Sequence, residues 1–190
     1  MGGTNQYGGG WPCDSWIGTY ESGVRFGSIG ARLTELLAPF HMQVQAVRRR
    51  PRGDEPCPTL TEAALPELLA SADHVVNLLP GHAGTFHFFD ARRLASIKPG
   101  AVFYNVGRGT TVDQDALLAT LQRGQLKAAY LDVTDPEPLP PGHPLWTAPG
   151  CVITPHTAGG HADEPMRLCE HFLANLSRYD AGHPLLDRVI

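Results

Sequence analysis

The sequence predicts an α/β domain built around a doubly wound parallel β-sheet. Short apolar runs that are typical of buried strands alternate along the chain with amphipathic segments that are typical of helices. Turn signals rich in glycine and proline, such as Lys98-Pro99-Gly100, separate these segments. The chain has 190 residues, of which 42% are hydrophobic and 18% are charged, and this is enough for one globular domain with its own core.

The first half of the domain is predicted to alternate helix and strand. A helix at 31–37 has leucines at helical spacing, and a short strand at 44–47 follows it. A second helix is expected at 62–70, where three leucines share one side. The run 74–79 is strongly apolar and ends at Pro80, which indicates a buried strand.

The second half continues the same alternation. We predict a helix at 90–97, a strand at 101–106 and an amphipathic helix at 113–123 with its leucines directed inward. Two further apolar runs, at 128–131 and 151–154, are predicted strands. Strands separated by helices in this way favour a parallel sheet.

A last helix is predicted at 164–179. The candidates for its buried side are Met166, Cys169, His171, Phe172, Leu173 and Leu176. Before the domain, residues 1–22 are rich in glycine and show no helical or strand periodicity, so we expect an irregular segment. The predicted division is therefore this segment, a domain at 23–180 and a C-terminal tail at 181–190.

Composition narrows the function classes. A net charge of -4 gives no electrostatic reason to expect binding to nucleic acid or to a membrane surface. The four cysteines are scattered without metal-ligand spacing, which predicts reduced thiols and no metal site. The sequence shows neither an apolar run long enough to span a bilayer nor a signal-peptide pattern, so the expected location is the cytoplasm.

A candidate acid/base pair lies in the segment 131–160. One predicted strand ends at Asp132, a proline-rich loop then carries Glu137, and the next strand ends just before His156. Because the carboxyl ends of parallel strands lie at one edge of a sheet, we expect the carboxylate to bind the imidazole and fix its tautomer. Most histidines are surface residues, and this chain has nine, so the pair alone leaves the catalytic interpretation open.

An arginine motif decides between these interpretations. The motif Asn105-Val106-Gly107-Arg108-Gly109 follows a predicted strand and precedes a helix. A guanidinium group can hold a carboxylate through two parallel hydrogen bonds, although a lone arginine in a glycine turn is more often a surface charge. With Glu137 and His156 following in this order and spacing, the sequence from about Phe26 to about Tyr179 resembles the D-isomer-specific 2-hydroxyacid dehydrogenases.

The resemblance implies a Rossmann-like NAD(P)-binding domain and reduction of a 2-oxoacid such as glyoxylate, hydroxypyruvate or pyruvate. It implies that His156 is the acid, that Glu137 holds His156 and that Arg108 orients the substrate carboxylate. Asp132 is expected beside the nicotinamide carboxamide. The positions that match the family's cofactor-contacting residues are Gly27, Ser28, Ile29, Gly30, Arg48, Arg49, Leu79, Pro80, Thr85, Val106, Gly107, Arg108, Asp132, His156, Ala158 and Gly159.

Two features bear on the cofactor. The predicted second strand ends in Arg48-Arg49-Arg50 with no acid before Asp54, which favours the 2′-phosphate of NADP(H) over NAD(H), unless the run is merely a solvated basic turn. The glycine loop departs from the family pattern, because Arg25 stands where the first glycine is expected and 20–25 is poor material for a central strand. This departure predicts weakened cofactor binding.

Three hypotheses remain open at this level. Family members have a separate substrate domain that the sequence lacks, so we expect a truncated member. The chain is then an NAD(P)-dependent dehydrogenase, a dinucleotide-binding module with a binding or regulatory role but without turnover, or an unstable fragment. The resemblance also implies a homodimer.

Overall fold

The structure is a computed structural model that describes residues 15–20, 28–160 and 162–188, with the backbone alone for 15–20 and Ser28. The strands are β1 (Ser15–Tyr20), β2 (Gln43–Arg48), β3 (Thr59–Leu60), β4 (His74–Asn77), β5 (Val102–Asn105), β6 (Ala128–Leu131) and β7 (Cys151–Ile153). The α-helices are α1 (Ser28–Leu37), α2 (Leu65–Ser71), α3 (Ala91–Ser96), α4 (Gln114–Gln122) and α5 (Glu164–Asp180). Short 3₁₀ turns lie at Ala38–Phe40, Glu62–Ala64, Gly109–Thr111 and Pro144–Thr147.

The seven strands form one sheet in the order β3-β2-β1-β4-β5-β6-β7, and every neighbouring pair is parallel. The predicted doubly wound α/β class is therefore confirmed. The chain runs outward from β1 to β3 and then returns to β4 on the other side of β1. In such sheets the ligand crevice lies at the carboxyl ends of the strands beside this change of direction.

The prediction that residues 1–22 are irregular was wrong for β1. This strand is central, because it pairs with both β2 and β4. It contains aromatic and β-branched residues, which favour strand conformation, but this signal is short and adjoins a glycine-rich segment that gives none. Main-chain pairing on both sides stabilises the segment, and such pairing cannot be seen in local sequence.

The hydrophobic core lies on the face of the sheet that α2, α3 and α4 cover. Phe89 and Phe103 are completely buried and meet edge to face with ring centroids 5.0 Å apart. The two helices α3 and α4 are capped by Asp90 and Asp113, whose carboxylates accept hydrogen bonds from the amides of Arg93 and Ala116. These caps and the buried leucines below them fix where the loops at the carboxyl edge of the sheet begin and end.

The prediction of a buried side for the last helix was wrong. None of the described side chains of α5 is buried, and Phe172 is 65% exposed. The helix has an apolar side, which stays exposed in the described part of the chain. The tail beyond it folds back, since the Leu186 amide donates to Asn175 at 2.7 Å and Arg178 donates to the Pro184 carbonyl.

Candidate active site

The predicted hydrogen bond between Glu137 and His156 is present. Nδ1 of His156 lies 2.6 Å from Oε1 of Glu137, at the carboxyl ends of β6 and β7. This contact occupies Nδ1 and leaves Nε2 as the ring nitrogen that faces away from the carboxylate. The two side chains are 49% and 40% exposed, so the pair lies at an open surface. His156 has a positive φ of 53°, in the left-handed region.

Asp132 holds the turn that carries His156. Its carboxylate accepts hydrogen bonds from the Thr154 hydroxyl at 2.6 Å, the Thr157 amide at 2.8 Å and the Ala158 amide at 2.9 Å. Burial acts to raise the pKa of Asp132, but these three bonds together with nearby His156 outweigh it and leave the pKa below its ordinary value. The main chain adds a further link, because the His156 amide donates to the Asp132 carbonyl at 2.9 Å.

The loop that carries Arg108 fits tightly between two neighbouring backbones. A Cβ atom on Gly107 would lie 2.6 Å from the Leu79 carbonyl oxygen, and one on Gly109 would lie 2.0 Å from the Thr134 carbonyl oxygen. Glycine is therefore required on both sides of the arginine. Arg108 itself is exposed, and its Nη1 donates to the Gly107 carbonyl at 2.7 Å. The loop thus places a guanidinium group at the same edge of the sheet as His156.

A buried polar network under this loop was not predicted from the sequence. The side-chain Nδ2 of Asn77 donates to Oδ1 of Asn105 at 3.0 Å and to the Thr111 hydroxyl at 2.6 Å. The Thr111 hydroxyl in turn donates to the Arg108 carbonyl at 2.6 Å. Asn77 also accepts the Leu79 amide, so one network joins the two loops. Asparagine at the end of each of two apolar strands is the signal that could have shown it.

A cleft of about 440 Å³ lies at the carboxyl ends of β2 and β4. Val47 and Leu79 supply apolar walls, and Arg49 supplies a cation. Thr85 also lines the cleft and is fixed there, because its hydroxyl donates to the Pro80 carbonyl at 2.6 Å. The cleft is concave and partly apolar, and its charged lining residues are Arg49 and Arg93 beside Glu62 and Asp90. A concave, partly apolar surface at this edge of the sheet suits the adenosine half of a dinucleotide.

Arg48 is placed differently from Arg49. Its side chain is 3% exposed and its Nη1 lies 3.0 Å from Oε1 of Glu55. Arg48 does not line the cleft that Arg49 lines. The reason is strand geometry, since successive side chains point to opposite faces of a sheet. The predicted phosphate-binding role of Arg48 therefore has no support in this arrangement.

The remaining predicted cofactor positions are divided among several places. Gly27 lies outside the described residues, as does Arg25. Ser28 and Gly30 belong to the first turn of α1, and Ile29 in the same turn is 64% exposed. The other positions lie on the loops after β4, β5 and β7, namely Pro80, Val106, Ala158 and Gly159.

A family model described as the NAD binding domain of D-isomer specific 2-hydroxyacid dehydrogenases matches residues 23–158. The chain belongs to this family. It is 40% identical over 140 residues to the human protein named glyoxylate reductase/hydroxypyruvate reductase, covering 70% of this chain and 41% of that one. The chain spans about half the length of the curated relatives it matches, 54% and 52% of the first two.

Solved structures of family members agree. A D-isomer specific 2-hydroxyacid dehydrogenase from Xanthobacter autotrophicus, in complex with NADPH and MES, is 35% identical with a TM-score of 0.79, over 92% of this chain and 54% of that one. An NADPH-dependent glyoxylate/hydroxypyruvate reductase from Sinorhizobium meliloti, in complex with NADP and sulfate, is 30% identical with a TM-score of 0.79, over 94% and 56%. The NAD(P)-binding class of the domain follows from these matches.

Two properties of the described residues bear on other functions. No helix among them is long and apolar enough to cross a membrane. Within the same residues, no group of three or more histidine, cysteine, aspartate or glutamate side chains could hold a metal ion.

Proposed function

We propose that this chain binds NADP(H) in preference to NAD(H) and carries the reducing site for a small 2-oxoacid such as glyoxylate, hydroxypyruvate or pyruvate. The observation that supports this most is the Glu137–His156 hydrogen bond of 2.6 Å at the carboxyl edge of the sheet. Arg108 follows the adjacent strand β5 at the same edge. An acid/base pair and a guanidinium group are the two elements that recognition and protonation of a 2-oxoacid need.

Each of the three side chains has a separate task. His156, protonated, donates to the carbonyl oxygen of the substrate through Nε2. Glu137 holds the ring in place through Nδ1 and so leaves Nε2 for the substrate. Arg108 binds the substrate carboxylate and so aligns the carbonyl with His156. Asp132 acts beneath them, by fixing the turn that presents His156.

The cofactor site uses the cleft at β2 and β4. The bound nicotinamide cofactor supplies the hydride, which is the cofactor's own chemistry. Val47 and Leu79 would hold its adenosine end, and Arg49 would pair with the 2′-phosphate. The names of the NADPH-bound and NADP-bound family members are consistent with this preference.

Titration of the purified chain with NADPH and NADH by calorimetry tests the first half of the proposal. Micromolar binding of NADPH that is tighter than binding of NADH, and that Arg49→Asp abolishes, is the expected result. Binding of neither nucleotide would contradict the proposal. It would favour instead the interpretation of a chain whose cofactor site is incomplete.

Turnover with glyoxylate, hydroxypyruvate or pyruvate tests the second half. We expect His156→Ala to abolish NADPH oxidation while binding of NADPH stays measurable by calorimetry. His183, an exposed histidine beyond α5, provides the matched control, because His183→Ala should leave the rate unchanged. NADPH binding without turnover of any of these substrates would identify a binding module.

A further inference from the structure

Glu55 is a buried carboxylate in a loop that is otherwise exposed. Its Oε1 accepts hydrogen bonds from the Arg52 amide at 2.8 Å and from Arg48 Nη1 at 3.0 Å. Its Oε2 accepts the Gly53 amide at 2.8 Å. The side chains of Arg48 and Glu55 are both 3% exposed. A charge pair of this kind persists in an interior only when both partners are satisfied.

The loop 49–55 folds around this carboxylate. The amide of Arg52 and then that of Gly53 lower the pKa of Glu55, with a contribution from Arg48, so the carboxylate is ionised at neutral pH. Gly53 has a φ of +89°, a conformation that the close return of the chain requires. The loop is thus a turn with a charged centre.

The consequence concerns Arg49, which follows directly after β2. Val47 and Arg49 line the cleft, whereas Arg48 between them is turned into the interior toward Glu55. A phosphate-binding guanidinium is effective only when its position is fixed before the ligand arrives. The contact that fixes this stretch lies on the side of the chain opposite to the cleft.

We infer that Glu55 is a positioning residue for recognition of the cofactor 2′-phosphate. It holds Arg48 in the interior, closes the turn at 49–53, and so presents Arg49 to the cleft. The inference rests on the proposed binding of NADP(H). It assigns to an acidic residue, which does not touch the cofactor cleft, a part in the choice between NADP(H) and NAD(H).

Positioning and simple electrostatics predict opposite results for Glu55→Gln. Removal of one negative charge near the cleft would by itself strengthen phosphate binding. Loss of the turn would weaken it. We expect the dissociation constant for NADPH to rise about tenfold, as for the loss of one or two charge-assisted hydrogen bonds, and that for NADH to change by less than about twofold. Unchanged or tighter binding of NADPH would overturn the inference.

Asp54 provides the matched charge control, since it is the exposed neighbour of Glu55. Asp54→Asn removes the same charge one residue away and should not weaken NADPH binding. If it weakens binding as much as Glu55→Gln, a positioning role specific to Glu55 is wrong. If the unsubstituted chain binds neither nucleotide, the proposed function is wrong together with this inference. If the unsubstituted chain binds NADPH and Glu55→Gln binds it equally well, only this inference is wrong.

Gly53→Ala tests the turn without a change of charge. Nothing lies within 4 Å of the added Cβ, so the substitution acts through the strained φ of +89°. Gly100→Ala is the matched control, with a φ of +84° and equally open space in a turn remote from the cleft. We expect Gly53→Ala to weaken NADPH binding at least threefold and Gly100→Ala to leave it unchanged. Equal NADPH binding by both variants would contradict the inference. This comparison does not depend on Glu55→Gln, so it remains decisive if that variant does not fold.

Amide hydrogen exchange gives a readout that needs no nucleotide. The amides of Arg52 and Gly53 should exchange slowly in the unsubstituted chain, because both donate to Glu55. In Glu55→Gln both should exchange at least ten times faster, whereas amides of β4 should keep their protection. Fast exchange of both amides in the unsubstituted chain would show that the turn is not fixed.

Discussion

Asp132 is only 6% exposed, and its carboxylate accepts three hydrogen bonds from within the protein. Two of the donors are the amides of Thr157 and Ala158, which follow His156 directly. The left-handed backbone of His156 therefore has a local cause, since the chain must turn to bring both amides to one carboxylate. The expected contact of Asp132 with the nicotinamide carboxamide stays a prediction, whereas its contacts within the protein already support the backbone turn at His156.

Substitution of Asp132 by asparagine should destabilise the fold. An asparagine presents an N–H group where an oxygen now accepts an amide, so we expect the free energy of unfolding at pH 7 to fall by about 1–3 kcal/mol. Denaturant unfolding measures this, and Asp54→Asn serves as an exposed control. The pKa of Asp132 is lowered in the folded state, so its contribution is present above the ordinary carboxyl pKa of about 4 and is lost as the pH falls below it. An equal difference between variant and parent at pH 7 and pH 3 would contradict this linkage.

The cysteines differ in accessibility, and this gives a second test at the level of residues. Burial raises the pKa of the Cys151 thiol to about 11. At pH 7.5 its thiolate fraction is then about two orders of magnitude below that of an ordinary thiol. We expect alkylation by iodoacetamide, followed by peptide mass spectrometry, to modify exposed Cys169 well before Cys151. Comparable rates would show that β7 opens readily.

The sequence was sufficient for the pairing of Glu137 with His156 but not for the arginines. The pair could be predicted because Glu137 lies in the loop after one recognisable strand, His156 follows the next strand, and parallel strand ends share one edge. Arg48 and Arg49 could not be separated by type. Only the period of two along β2, extended past its end, distinguishes the one that reaches the cleft from the one that pairs with Glu55.

Two glycines allow the loop after β5 to pack directly against the backbones of two neighbouring loops. Gly107 lies against the backbone of Leu79, and Gly109 lies against that of Thr134. Gln114, at the start of α4, joins the same region by accepting the Asp135 amide at 3.1 Å and donating to its carbonyl. The loops that carry Arg108 and Glu137 are thus in direct backbone contact, so displacement of one displaces the other.

Gly109→Ala should test this contact between loops. Its Cβ would lie 2.0 Å from the Thr134 carbonyl oxygen, and neither backbone can yield without shifting a loop. We expect a loss of about 2–4 kcal/mol in the free energy of unfolding, or a chain that does not fold. Gly142→Ala has open space around it and should change stability by less than about 0.5 kcal/mol. A Gly109 variant as stable as the Gly142 variant would show that the loops are not in contact.

Elements with local signals were predicted well, and elements that depend on pairing were not. The helices α3 and α4 carry aspartate caps and buried leucines, and both lie within the predicted segments. The strand β1 and the two-residue strand β3 were missed, because their stability comes from neighbouring strands rather than from their own residues.

At the scale of the molecule, helices cover one face of the sheet, and part of the other face is exposed among the described residues. The core face of the sheet buries Phe89, Phe103 and the leucines of α2 to α4. By contrast, Tyr130 and Val152 on the opposite face are each 44% exposed, and the Glu137–His156 pair is about half exposed. The prediction that one side of α5 is buried was wrong for a related reason. Amphipathic spacing shows that a helix has an apolar side, but it does not show whether this chain supplies a partner for that side.

Two phenylalanines test whether α5 is uncovered in solution. Phe103 is completely buried and Phe172 on α5 is 65% exposed. Phe103→Ala should lower the free energy of unfolding by about 3–5 kcal/mol, because it removes a packed ring and leaves a cavity. Phe172→Ala should change it by less than about 0.5 kcal/mol, as is usual for exposed positions. Denaturant unfolding of both variants at several protein concentrations makes the comparison. A large loss in Phe172→Ala that grows with protein concentration would mean that another copy of the chain covers α5, and that the apolar side of this helix is an interface.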